Sequence, residues 1–320
     1  MMNNLKYIRD KINKIIMLPL NMYNAFKTFN DIKNMKMMDD DIVIILLKGI
    51  GDTVYGLAFI EAVKNIYDPS NIIVVGNVKL KELIETYRGI SLFVPYDVDK
   101  GEYYKYKNYL EVGRFFDLGY KERIFNTDPY SKYISTVRSL DNSAINILKK
   151  RVFKLDDDVS ITYPRLIKGN ITSIPQFDEI CNKVVIINPY TNSFSDSTYE
   201  LFKGISEYLL EKGFIVYTNL INGQKNIDGT NPLYCSINEL TTIIKRSIAF
   251  VSIRSGVLDM VINTGTPILA IYNECSKRFK DIYHLKAWSG KSNLEELYLD
   301  KKNSKSILSL AKEWCDSQLK

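Results

Sequence analysis

From Asp41 onward, apolar residues fall into short unbroken runs separated by longer stretches in which they recur every third or fourth position. Ile42–Leu47 (IVIILL) is the first run, and a run without polar alternation reads as a strand covered on both faces. Residues 53–66 carry helical periodicity, Ile72–Gly76 reads as a second strand, residues 79–87 as helix and Ser91–Val94 as strand. This order predicts a parallel sheet with right-handed crossovers. The pattern then loses its period. Tyr103, Tyr104, Tyr106, Tyr109, Phe115 and Phe116 crowd residues 101–116, as a platform for a sugar ring or lipid tail or as a half-buried edge. Residues 123–126 read as strand and 131–150 as helix, and 165–182 read as a linker.

The alternation restarts at Val184. Strands are expected at 184–187, 214–218, 232–235, 249–253 and 268–272, with an edge strand at 296–299. Helices are expected at 198–211, ended by Gly213, at 238–246 with Ser236 or Asn238 as cap, at 256–264, and at 305–317. The fold class that follows is α/β, with two doubly wound, Rossmann-like domains in tandem over 41–170 and 171–302. A terminal helix (303–320) closes the chain, and a basic arm (1–40) precedes it.

Charge singles out that arm. Residues 1–38 hold seven Lys or Arg against Asp10 and Asp31, a net +5 out of +6 for all 320 residues. Leu5, Ile8, Ile12, Ile15 and Ile16 recur at helical spacing among these lysines, before Pro19 interrupts. Such an element either lies on an anionic membrane surface or packs on the first domain with its lysines in solvent. The remaining body is close to neutral, which argues against nucleic acid as a partner. No apolar stretch reaches the roughly 18 residues of a membrane span, and Ile15–Leu20 is too short for a signal peptide. Cys181, Cys235, Cys275 and Cys315 form no CxxC pair, and His284 is the only histidine. Disulfide frameworks, zinc knuckles and clustered-histidine sites are thereby excluded, and a reducing, cytoplasmic setting is expected.

Candidate chemistry begins at "KGIGDTVYG", residues 48–56. A dinucleotide fingerprint starting at Gly49 needs glycine where Val54 stands, and a P-loop needs Lys-Ser/Thr where Leu57 and Ala58 stand. What remains is a tight turn, Gly49-Ile50-Gly51, delivering Asp52 and Thr53 to the start of a helix at the carboxyl end of a strand. Ligands of open α/β sheets sit at such ends. Asp52 is therefore either a helix cap or a carboxylate at a cleft mouth.

The flanks of this turn carry a resemblance. "GDTVYGLAFIEAVK" resembles the strand–G-D-x-[LV]–helix motif of the heptosyltransferase-like glycosyltransferases of GT-B architecture. "VVIINPYTNS", "FIVYTN" and "INELTTIIKRSIAFVSIRSGVLDMVINTGTPILAIYN" are similar to that family's later strands and signature, in the same order. The resemblance spans 42–66 and 183–273 and implies two domains facing across a cleft. The first would bind an acceptor, a glycan or lipid-linked sugar, near Gly49, Gly51 and Thr53. The second would bind a nucleotide-diphosphate sugar. Asp52 would then be the general base, with inversion at the anomeric carbon and no cofactor beyond the donor.

No paired acidic metal motif stands at a strand end of the second half, so the leaving diphosphate needs another anchor. The helix start Ser255-Gly256-Val257 supplies free amides, Arg254 a bidentate contact, and Thr191, Asn192 and Ser193 further donors. Asp259, one turn on, either meets a ribose or sugar hydroxyl or complements the helix dipole. The family usually has Asp before S-G and His three residues after, where Arg254 and Asp259 stand. "SFSDSTYE" also lacks the family's Lys and Trp. These departures point away from ADP-heptose and toward another nucleotide sugar of bacterial surface-polysaccharide assembly. A sugar-nucleotide epimerase and a non-catalytic binding protein share the architecture and stay open.

Overall fold

A computed structural model of the chain describes residues 40–46, 49–85, 87–97, 99, 123–127, 143–163, 169–191, 198–221, 223–272, 284–285, 293–299 and 304–319. The expected arm over 1–38, the aromatic stretch 101–116, most of helix 131–150, and Asn192 and Ser193 lie outside these residues.

Two all-parallel sheets form the frame. In the first lobe β1 (Ile42–Ile45), β2 (Ile72–Asn77), β3 (Leu92–Tyr96) and β4 (Ile124–Asn126) take the order β3-β2-β1-β4. Val43 stands opposite Ile73 on one side and Ile124 on the other. In the second lobe β5 (Val184–Asn188), β6 (Ile215–Asn219), β7 (Asn231–Leu233), β8 (Ala249–Ile253), β9 (Ile268–Tyr272) and β10 (Leu294–Tyr298) take the order β10-β9-β8-β5-β6-β7. The chain therefore reverses direction across each sheet between β1 and β4 and between β5 and β8. Those two reversals are the crevices where a parallel sheet opens for a ligand.

Burial explains the unbroken apolar runs. Along β5, Val184 and Ile186 join one core and Val185 and Ile187 the other, all four fully buried. Strand residues of alternate sign face opposite sides, so both faces must be apolar. The first core is continuous from β1–β4 through Phe59, Phe153 and Phe177 to the near face of the second sheet. The second core lies behind that sheet, under α6 (Tyr199–Glu211) and α9 (Ser304–Gln318). No described helix is long and apolar enough to cross a membrane.

The helix expected over 53–66 is two helices, α1 (Ile50–Leu57) and α2 (Ile60–Tyr67). The Thr162 amide donates to the Ala58 carbonyl at 3.1 Å, and Phe59 reaches back only three residues, to Gly56. An outside donor inserted into the helical ladder bends it at that point. The described part of the 131–150 helix is α4 (Ala144–Ile147), which widens into a π turn over Leu148–Val152. Among the described residues the first lobe also holds α3 (Lys81–Glu85), and α5 (Phe177–Ile180) precedes β5. Gly213 ends α6 in the left-handed region at φ +85°, as its placement after the last apolar position predicts.

One carboxylate, Glu239, gathers two residues of the linker. Ser236 caps α7 (Ile237–Arg246), its hydroxyl accepting from the Glu239 amide at 3.2 Å. In a capping box the Glu would reach back to the cap; here it turns to the linker instead. Glu239 Oε1 accepts from the Thr172 and Ser173 amides at 2.6 and 2.7 Å and from both hydroxyls. Burial would raise this carboxyl, but the four donors hold it below its ordinary value. Glu239→Gln is expected to cost about 1.5–3 kcal/mol in urea unfolding at neutral pH. A depressed folded-state pKa gives stability that is full above the unfolded value, about 4.3, and is lost as pH falls through the folded one. The difference between the two proteins should therefore shrink below about pH 4.

Candidate functional site

Asp52 is the third residue of α1, and Gly49 is the residue that caps the helix. The Asp52 carboxylate lies back toward that cap position, where a Cβ on Gly49 would stand 3.0 Å from Oδ2. Asp52 remains partly exposed, while Thr53 is fully buried and its amide donates to the Gly49 carbonyl at 3.0 Å. At the neighbouring crevice of the first sheet, Tyr96 donates to the Leu46 carbonyl at 2.8 Å and Thr127 to that of Ile45 at 3.0 Å. These bonds tie down the strand end from which the Gly49–Gly51 turn departs.

The start of α8 (Gly256–Val261) lies directly against this turn. A Cβ on Gly256 would stand 2.5 Å from the Gly51 amide nitrogen, and one on Gly51 would run into the Asp259 carboxylate. Only residues without a side chain let the two helix starts approach so closely. Ser255, Gly256 and Val257 are all partly exposed, and the Gly256 and Val257 amides precede the first turn's own donors.

Arg254 and Asp259 are placed differently from a pair of open ligand contacts. Arg254 is 7% exposed and Asp259 2%. Nη1 and Nη2 of Arg254 donate to Oδ2 and Oδ1 of Asp259 at 2.9 and 2.7 Å, and Nη1 also donates to the Ser255 carbonyl at 2.8 Å. The bidentate fork offered by the sequence to a phosphate is thus taken by Asp259, and the acid offered to a sugar hydroxyl by Arg254. Tyr55, from the first lobe, completes the cluster: its hydroxyl donates to Asp259 Oδ1 at 3.0 Å and accepts from Arg254 Nη2 at 3.0 Å. Burial, with the Asp259 charge beside it, pushes the Tyr55 hydroxyl well above its usual range. Burial, the largest influence, would lower Arg254, but the Asp259 carboxylate together with Tyr55 and Tyr272 outweighs it and keeps the guanidinium firmly charged.

The crevice between β5 and β8 holds a second polar group that sequence reasoning left without a role. Asn188, the last residue of β5, donates from Nδ2 to Ser252 Oγ at 3.0 Å and to Ser255 Oγ at 3.1 Å. Its Oδ1 accepts from Asn219 at the end of β6, 2.9 Å away. The signal in the sequence was a polar residue closing an otherwise apolar strand at "VVIIN". Thr191 lies just beyond, and Thr198 Oγ1 donates to the Pro189 carbonyl at 3.1 Å. Cys235 and Cys315 are each pushed up to about 12 by burial, which disfavours thiolate chemistry at either. Among the described residues no group of three or more His, Cys, Asp or Glu is arranged to hold a metal ion.

No protein-family profile matches the chain, and no curated protein matches it in sequence. Solved structures do match its shape. The E. coli ADP-heptose lipopolysaccharide heptosyltransferase II superposes with a TM-score of 0.56 at 11% identity, covering 87% of this chain and 98% of its own. The glycosyl transferase family 9 structure from Veillonella parvula gives 0.57 at 14%, covering 87% and 97%. The E. coli heptosyltransferase WaaC, solved with ADP, gives 0.56 at 10%, covering 87% and 99%. Over 87% of its length, then, the chain is built on the two-lobed GT-B fold that these glycosyl transferases share.

Proposed function

We propose that the chain is an inverting glycosyltransferase that moves a sugar from a nucleotide-diphosphate donor to a glycan or lipid-linked acceptor. The observation that carries this reading is the meeting of the two helix starts. It brings the helix start that carries the partly exposed Asp52 of one lobe against the partly exposed Ser255-Gly256-Val257 of the other. Inversion needs a base on the acceptor side and a holder for the leaving group on the opposite side of the anomeric carbon. In this reading Asp52 accepts the acceptor's hydroxyl proton as that oxygen attacks. The departing diphosphate is received by the Gly256 and Val257 amides, the hydroxyl of Ser255, and Thr191 with its neighbours Asn192 and Ser193. Asn188 orients Ser255 from below. Gly49, Gly51 and Thr53 shape the acceptor side, and Arg254 and Asp259 support the donor side without needing to touch it.

Incubation with a panel of nucleotide sugars, followed by assay of free nucleoside diphosphate, tests the reading. The expected result is release from one donor, undiminished by EDTA. Thermal stabilisation by nucleoside diphosphates with no turnover of any donor would instead assign the fold to binding alone.

A further inference from the structure

We propose that Tyr55, Arg254 and Asp259 form a lock between the lobes, and that Tyr55 is a positioning residue for Asp52. Tyr55 is the first lobe's contribution, and the ion pair is wholly the second lobe's. The tyrosine hydroxyl bonds to both members of the pair at 3.0 Å, and all three side chains are buried. A charged pair out of water is costly unless its geometry and its remaining hydrogen-bond sites are satisfied. Here the carboxylate is gripped on both oxygens, and the third contact comes from across the lobe junction.

Apolar packing tolerates sliding, whereas hydrogen bonds of fixed direction select one register. The Gly51–Gly256 approach adds a steric stop, since neither glycine leaves room for the other lobe to shift closer. The two together define one discrete arrangement of the lobes. Tyr55 follows Asp52 by three residues on the same short helix, so both occupy one helical face. Whatever holds Tyr55 therefore sets where Asp52 stands relative to the start of α8. This consequence for Asp52 rests on the donor-site reading above, but the lock itself does not.

Amide hydrogen exchange on the ligand-free protein tests the lock. Tyr55→Phe removes one hydroxyl and keeps the ring, so the fold is expected to survive. Exchange should quicken by roughly tenfold to a hundredfold, the range for a lost hydrogen bond to charged partners, in 50–57 and also in 255–262. Gly51→Ala, which drives a methyl group toward the Asp259 carboxylate, should give the same two-segment response. A response confined to 50–57, or one spread evenly over the whole chain, would overturn the proposal. Added nucleoside diphosphate should then protect 50–57 in the wild type and not in Tyr55→Phe. Protection of neither lobe in the wild type would sink the donor-site reading, while the ligand-free result still decides the lock.

Discussion

Asp259→Asn is expected to lose roughly 3–5 kcal/mol of stability in urea unfolding, because it breaks a buried ion pair. The substitution keeps shape and removes charge, taking from the buried Arg254 guanidinium, 7% exposed, the carboxylate that it grips through two bonds. Burial, the largest influence on Arg254, would then act with the main opposing charge removed. Removing both charges together, as in Arg254→Met with Asp259→Leu, should recover most of the loss. A buried pair is far more costly to break than to replace with apolar groups. A loss below about 1 kcal/mol for Asp259→Asn would mean that water reaches the pair, which its burial argues against.

Asp52→Asn should leave folding intact and reduce turnover by about 10²–10⁴-fold, the usual contribution of a positioned general base. Asparagine matches aspartate in size, so packing survives, and Gly49 keeps the cap position of α1. Loss of a favourable acid in the first turn should cost under about 1 kcal/mol. Binding of nucleoside diphosphate, measured calorimetrically, should change little, because the proposed donor contacts lie on the other lobe. Turnover that survives within threefold would remove Asp52 from the chemistry and leave its carboxylate as helix-dipole decoration.

The strands were the most legible part of the chain. Runs such as IVII and VVII can only be satisfied by burial on both faces, and every strand expected from them is present. The break at Ala58 was not legible, because it depends on Thr162, more than a hundred residues downstream. Local periodicity carries no trace of such a donor. At the site, Asp52 and the Ser255-Gly256 helix start could be read from glycines at strand ends. Tyr55 could not, since an aromatic on an apolar helix face looks like core until its hydroxyl meets a charge from the other lobe. Arg254 and Asp259 were legible as charged residues at a crevice, but their mutual pairing was not. Five positions apart across a strand-to-helix turn is a spacing that only the bend at Ser255 brings together.

The most direct test of the two-lobe account is a crystal structure with nucleoside diphosphate bound. The account predicts the terminal phosphate against the Gly256 and Val257 amides, with the Asp52 carboxylate facing it across the width of one sugar ring. A diphosphate lodged elsewhere, or an Asp52 shielded from it by protein, would contradict the account.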